Sequence, residues 1–64
     1  MMNNKVMYAV WIPSKGWITE KKKTTSFSKD IYKAALFKYS SIAKKKARLS
    51  GFKECEVRVV FVGD

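Results

Sequence analysis

Apolar and polar positions fall into distinct patterns along the chain. Lys5–Ile12, KVMYAVWI, is apolar on both of its alternate sets, Val6, Tyr8, Val10, Ile12 and Met7, Ala9, Trp11. Its β-branched and aromatic content, with a turn following, predicts a strand. A strand apolar on both sides is expected at the centre of a sheet, with cover on each face. Pro13-Ser14-Lys15-Gly16 predicts the turn, because proline presets φ and glycine permits a positive one. Trp17–Thr24, WITEKKKT, predicts a second strand that turns polar quickly, as an edge strand does. Lys53–Val62, KECEVRVVFV, predicts the last strand. Cys55, Val57, Val59 and Phe61 share one of its faces. Glu54, Glu56, Arg58, Val60 and Val62 share the other. Met1–Asn4 reads as a loose lead-in, and Gly63-Asp64 closes the sequence.

Between the second and last strands the pattern becomes helical. Ser28 is a candidate N-cap for Lys29–Leu36, with Asp30 in the first turn and Ile31, Ala34 and Ala35 as the apolar stripe. Lys38–Phe52, KYSSIAKKKARLSGF, predicts a second helical stretch. Ser40 or Ser41 would cap it, and Gly51 would end it in the left-handed region. Ile42, Ala43, Ala47 and Leu49 are expected to face a sheet, and Lys44, Lys45, Lys46 and Arg48 to face water. The helix either runs unbroken from 29 to 49 or breaks near Phe37–Ser40. The shift of apolar phase at Phe37 favours a kink at 37–40. The expected fold is α+β, a two-layer β-β-α-β single domain over residues 1–64. Its three-stranded antiparallel sheet has order 2-1-3, with the helix on one face. One helix covers only one face of so small a sheet, so a second copy of the chain is the expected cover for the other, giving a homodimer.

Composition narrows the chemistry. A chain of 64 residues has a thin core. The single cysteine, Cys55, excludes an internal disulfide, and the lack of histidine excludes a His/Cys zinc site. Local packing or self-association must supply the stability instead. No apolar run approaches the roughly 20 residues of a membrane span. The first residues lack the small-residue cleavage site of a signal peptide, and one free thiol suits a cytoplasmic setting. Without histidine the usual general base at neutral pH is missing. Glu54 and Glu56 flank Arg58 and Lys53 and read as members of cross-strand ion pairs. Cys55 alternates with Val57 and Val59 and reads as a buried small hydrophobe. The three glycines are isolated, so no phosphate loop is present. The expectation is a binding protein rather than an enzyme, with no catalytic residue, metal ligand or cofactor.

Charge points to the partner. Twelve Lys and two Arg against five acids give a net charge of +9, which attracts polyanions. The candidate nucleic-acid-binding residues are Lys15, Lys21, Lys22, Lys23, Lys44, Lys45, Lys46 and Arg48; Lys29, Lys33 and Lys38 line the earlier helical stretch. Lysine outnumbers arginine, the usual reader of guanine edges, so backbone contact without strong sequence preference is expected. Trp17 and Tyr39, with Tyr32, are candidates for stacking on unpaired bases. Burial in the core is the competing reading for each, and Lys21–Lys23 equally suit edge protection. RNA, or another polyanion, is the first expectation. The alternative is an inhibitor docking on an acidic host protein surface, anchored by Trp11 or Trp17. A ribosome-associated or DNA-compacting role is the third. No RNP, KH, zinc-finger or helix-turn-helix signature is present.

The run Phe27–Phe52, FSKDIYKAALFKYSSIAKKKARLSGF, followed by a Val-rich strand, resembles small bacteriophage accessory proteins. These share a hairpin, a D-I-x-x-A-x-x-F pattern, an alanine-bearing helix and a final strand. The resemblance implies a viral protein that alters a host process inside the host cell. In size and basicity the chain is similar to T4-type phage inhibitors of a toxin–antitoxin endoribonuclease, which are RNA-binding homodimers. The resemblance implies an anti-defence role and assigns no functional position.

Overall fold

The computed structural model describes residues 5–22 and 26–63. The lead-in at Met1–Asn4, Lys23, Thr24 and Asp64 lie outside the described residues. Strand β1 (Lys5–Ile12) forms where its pattern predicts and is central. Along one side it pairs antiparallel with β4 (Glu56–Val62), from Lys5 opposite Val62 to Trp11 opposite Glu56. On the other side it pairs with β2 (Gly16–Ile18). The connecting turn closes through the Lys15 N–H, which donates to the Ile12 carbonyl at 2.9 Å. Gly16 is buried at φ +115°, and a Cβ there would lie 2.6 Å from the Ser28 carbonyl oxygen. Only glycine fits that combination of positive φ and backbone approach.

The sheet has four strands rather than the expected three. β2 stops at Ile18 instead of continuing to Thr24, and Phe27–Ser28 returns beside it as β3. The order is β3-β2-β1-β4, which contains the expected 2-1-3 arrangement with one short strand added at its edge. The α+β class, with one antiparallel sheet and one α-helix, holds among the described residues.

The helix expected over Lys29–Leu36 does not form. Ser28 Oγ accepts from the Asp30 N–H at 3.1 Å, and Asp30 Oδ1 accepts from the Tyr32 N–H at 2.9 Å. These bonds set up one 3-10 turn, Ile31–Lys33, after which Ala34 is extended. The physical reason is the shortness of β2, which leaves the side of β1 at Tyr8 without a partner. Phe37 fills the gap with two backbone hydrogen bonds to Tyr8, at 2.7 and 2.8 Å. The Ala35 N–H donates to the Ile18 carbonyl at 2.9 Å. Backbone groups in a core must be paired, and a helix over 29–36 would have consumed the donors that β1 and β2 need.

Helix α1 (Ser40–Leu49) starts after that extended segment, as the apolar phase shift suggests. Its N-cap residue is Tyr39 rather than Ser40 or Ser41, and no side chain caps the first turn. Gly51, at φ +82°, follows its last turn, with its N–H donating to the Arg48 carbonyl. The buried side of α1 differs from expectation: Ala43, Lys46 and Ala47 face inward, while Ile42 and Leu49 are 49% and 69% exposed. At about 100° per residue, 43, 46 and 47 share one arc and 42 and 49 fall on its flank. The two alanines let the helix sit close to the sheet, against a core of Val10, Ile12, Ile18, Ala35 and Phe37.

On the opposite face of the sheet, Ala9 is fully buried and Met7, Trp11, Trp17, Val60 and Val62 are half-buried. Trp11 and Trp17 stand opposite each other across the β1–β2 register, with ring centroids 4.8 Å apart. The chain thus partly covers this face with its own indoles. Glu56 pairs with Arg58 on its own strand at 2.8 Å, not across strands.

Candidate nucleic-acid interface

Among the described residues the exposed cations of α1 form the densest basic feature. Lys44, Lys45 and Arg48 are exposed and fall within about 100° of arc on the side away from the sheet. The helix, SSIAKKKARL, carries no acidic residue. Lys46 does not join this surface. It is 8% exposed, its stem packed with Ala43 and Ala47 on the sheet-facing side. Long cationic side chains bury an apolar stem while the head reaches the surface. No side-chain nitrogen among the described residues is sealed from water without a partner. Its stem thus stands on the side of α1 opposite the exposed arc of Lys44, Lys45 and Arg48.

Tyr39 sits at the N-terminal end of the same helix and is 56% exposed. The Lys38 ammonium lies 5.8 Å from its ring centroid. Beside it, Lys5 and Lys38 rim a shallow depression of about 720 Å³ whose apolar wall includes Met7, Leu36 and Val62. An exposed ring, two ammonium groups and an apolar wall are what an unpaired base with its phosphates requires. The sequence pattern puts Lys38 on the earlier helical stretch; the extended course of the chain places it here instead.

The other candidates are dispersed. Lys15 is exposed in the β1–β2 turn, and Lys21 and Lys22 are exposed just beyond β2. Lys21 stands 5.9 Å from the Phe37 ring centroid, over the core edge. Trp17 is half-buried on the face of the sheet opposite α1, against Trp11, and Lys29 lies 5.4 Å from the Trp11 ring. The structure therefore does not bring Trp17 together with the helix cations. Tyr32, 94% exposed in the 3-10 turn, is the most open aromatic ring among the described residues.

Other chemistry has little to work with. Cys55 is half-buried and its thiol donates to the Phe52 carbonyl at 3.0 Å, the setting of a packed side chain. Among the described residues no three His, Cys, Asp or Glu side chains cluster closely enough to hold a metal ion. No helix among them is long and apolar enough to cross a membrane. No family model, curated protein or solved structure matches this chain.

Proposed function

We propose that this chain is a small RNA-binding module that grips the phosphate backbone through α1 and stacks an unpaired base on Tyr39. The observation that carries the reading is the acid-free arc of Lys44, Lys45 and Arg48, with an exposed, lysine-flanked ring at the end of the same helix. Cations that meet phosphates release condensed counterions, which gives affinity without sequence preference. The predominance of lysine fits point-charge contact with phosphate rather than bidentate reading of base edges. A single strand suits the site better than a duplex, because Tyr39 can stack only on a base that has left its neighbours. The resemblance to phage accessory proteins supports a role in a host cell, where such binding would interfere with a defence endoribonuclease by occupying its RNA.

Fluorescence anisotropy with a labelled single-stranded RNA tests this. Combined Lys44→Glu, Lys45→Glu and Arg48→Glu changes should weaken binding by at least about tenfold. Tyr39→Ala should cost roughly 5- to 100-fold, the worth of one stacked base. Scrambling the RNA sequence should change little. Unaltered affinity in the triple variant would overturn the reading. Capture of a host protein that survives nuclease treatment, with no RNA affinity, would favour the protein-directed alternative.

A further inference from the structure

The two edges of the sheet are unlike. The β3 edge is two residues long and is followed at once by Lys29, as a protected edge should be. The β4 edge is seven residues long, EVRVVFV, with neither proline nor lysine. Among the described residues nothing pairs with its outer side. Its free backbone groups can be identified. Tyr8 turns both its N–H and its carbonyl toward Phe37, away from β4, so its partner Val59 is a non-hydrogen-bonded neighbour. By alternation, Val57, Val59 and Phe61 point their N–H and carbonyl groups outward. The side chains of the same three residues lie on the helix-bearing face. Phe61 is 74% exposed and Val59 54%.

We infer that the outer edge of β4 pairs antiparallel with β4 of a second copy, centred on Val59. In that register Val59 meets the partner's Val59, and Val57 meets the partner's Phe61 on each side of the twofold axis. All six outward N–H and carbonyl groups of each strand are matched, in three hydrogen-bonded residue pairs. The exposed Phe61 and Val59 gain apolar neighbours at the same time. Moving the centre to Val57 would set Phe61 opposite the partner's Lys53 and lose this match. Such an interface is self-complementary, as a twofold dimer demands. Opposed residues of an antiparallel pair share a face, so both copies of α1 stand on one side of a continuous eight-stranded sheet. This places the second copy at the edge of the sheet, not over the Trp11–Trp17 face where the chain's apolar pattern first suggested it. The dimer does not depend on the RNA reading.

Sedimentation of nuclease-treated protein at high salt, free of RNA, tests it. The expected mass is twice the 7.4 kDa of one chain. Val59→Lys puts two ammonium groups face to face at the axis and should give a monomer with an unchanged far-ultraviolet circular dichroism spectrum. Cysteine cross-linking reads the register without relying on that variant. In a Cys55→Ser background, Val59→Cys should form an interchain disulfide, since opposed hydrogen-bonded residues have Cα atoms about 5.5 Å apart. Phe61→Cys should not, because each Phe61 faces the partner's Val57. A wild-type monomer at high concentration, a dimer that survives Val59→Lys, or equal cross-linking of the two cysteine variants would overturn the inference.

Discussion

At the scale of single residues, Lys46 separates what charge counting finds from what folding allows. Three consecutive lysines read as one basic cluster, yet 100° per residue rotates the third onto the sheet side of α1. Its role there is packing. Lys46→Met keeps an unbranched stem of similar length, so RNA affinity should fall no more than about twofold, with stability unchanged or raised. Lys46→Ala removes three buried methylenes and should cost about 2 kcal/mol. Urea denaturation and anisotropy on the same preparations separate the two effects. A tenfold affinity loss in the stable Met variant would return Lys46 to the binding surface. Lys44 and Arg48 behave in the opposite way, since both are exposed and their truncation leaves the core untouched. The four cations look alike in the sequence because the run of charge hides which member lies one turn from Ala43 and beside Ala47.

At the scale of elements, α1 is a helix whose start is left without a side-chain cap. Tyr39 has the extended φ and ψ of an N-cap, −123° and 140°, but its ring accepts nothing from the first-turn N–H groups. A serine there would supply that acceptor. Tyr39→Ser should therefore stabilise the fold by about 0.5–1 kcal/mol while weakening RNA binding, a trade of function against stability. A thermal melt and one binding curve check both halves; a loss of stability together with unchanged affinity would contradict them. The elements that were legible in the sequence are those whose signal is complete within a few residues. β1 announces itself by apolar residues on both faces, and Gly51 marks the end of α1. The segment 29–36 was not legible, because Ala34, Ala35 and Leu36 have helical propensity and the opposing demand lies elsewhere. That demand is the unpaired backbone of Tyr8 and Ile18, which exists only because β2 stops after three residues. Likewise, Lys38 and Tyr39 come beside Lys5 and Met7 because the extended chain beyond Lys33 carries them to the end of β1. Nothing local to their sequence positions records that proximity.

At the scale of the whole molecule, the net charge of +9 acts on fold and function with opposite sign. Self-repulsion opposes the compact state, so added salt should stabilise the fold, whereas the same salt weakens contact with phosphates. The division of labour within the chain follows from this. The core is apolar and uses few residues, while the described cations other than Lys46 stand at exposed positions, where they cost the interior little. Among the described residues the α1 group is the densest, and it is expected to make the phosphate contacts. The most direct measurement is the slope of log affinity against log salt for a single-stranded RNA, in the wild type and in a variant with Lys44, Lys45 and Arg48 changed to alanine. If those three side chains each displace a counterion, the slope should become shallower by about 2 units. An unchanged slope, or a wild-type affinity that does not respond to salt, would mean that these three side chains do not meet the phosphates.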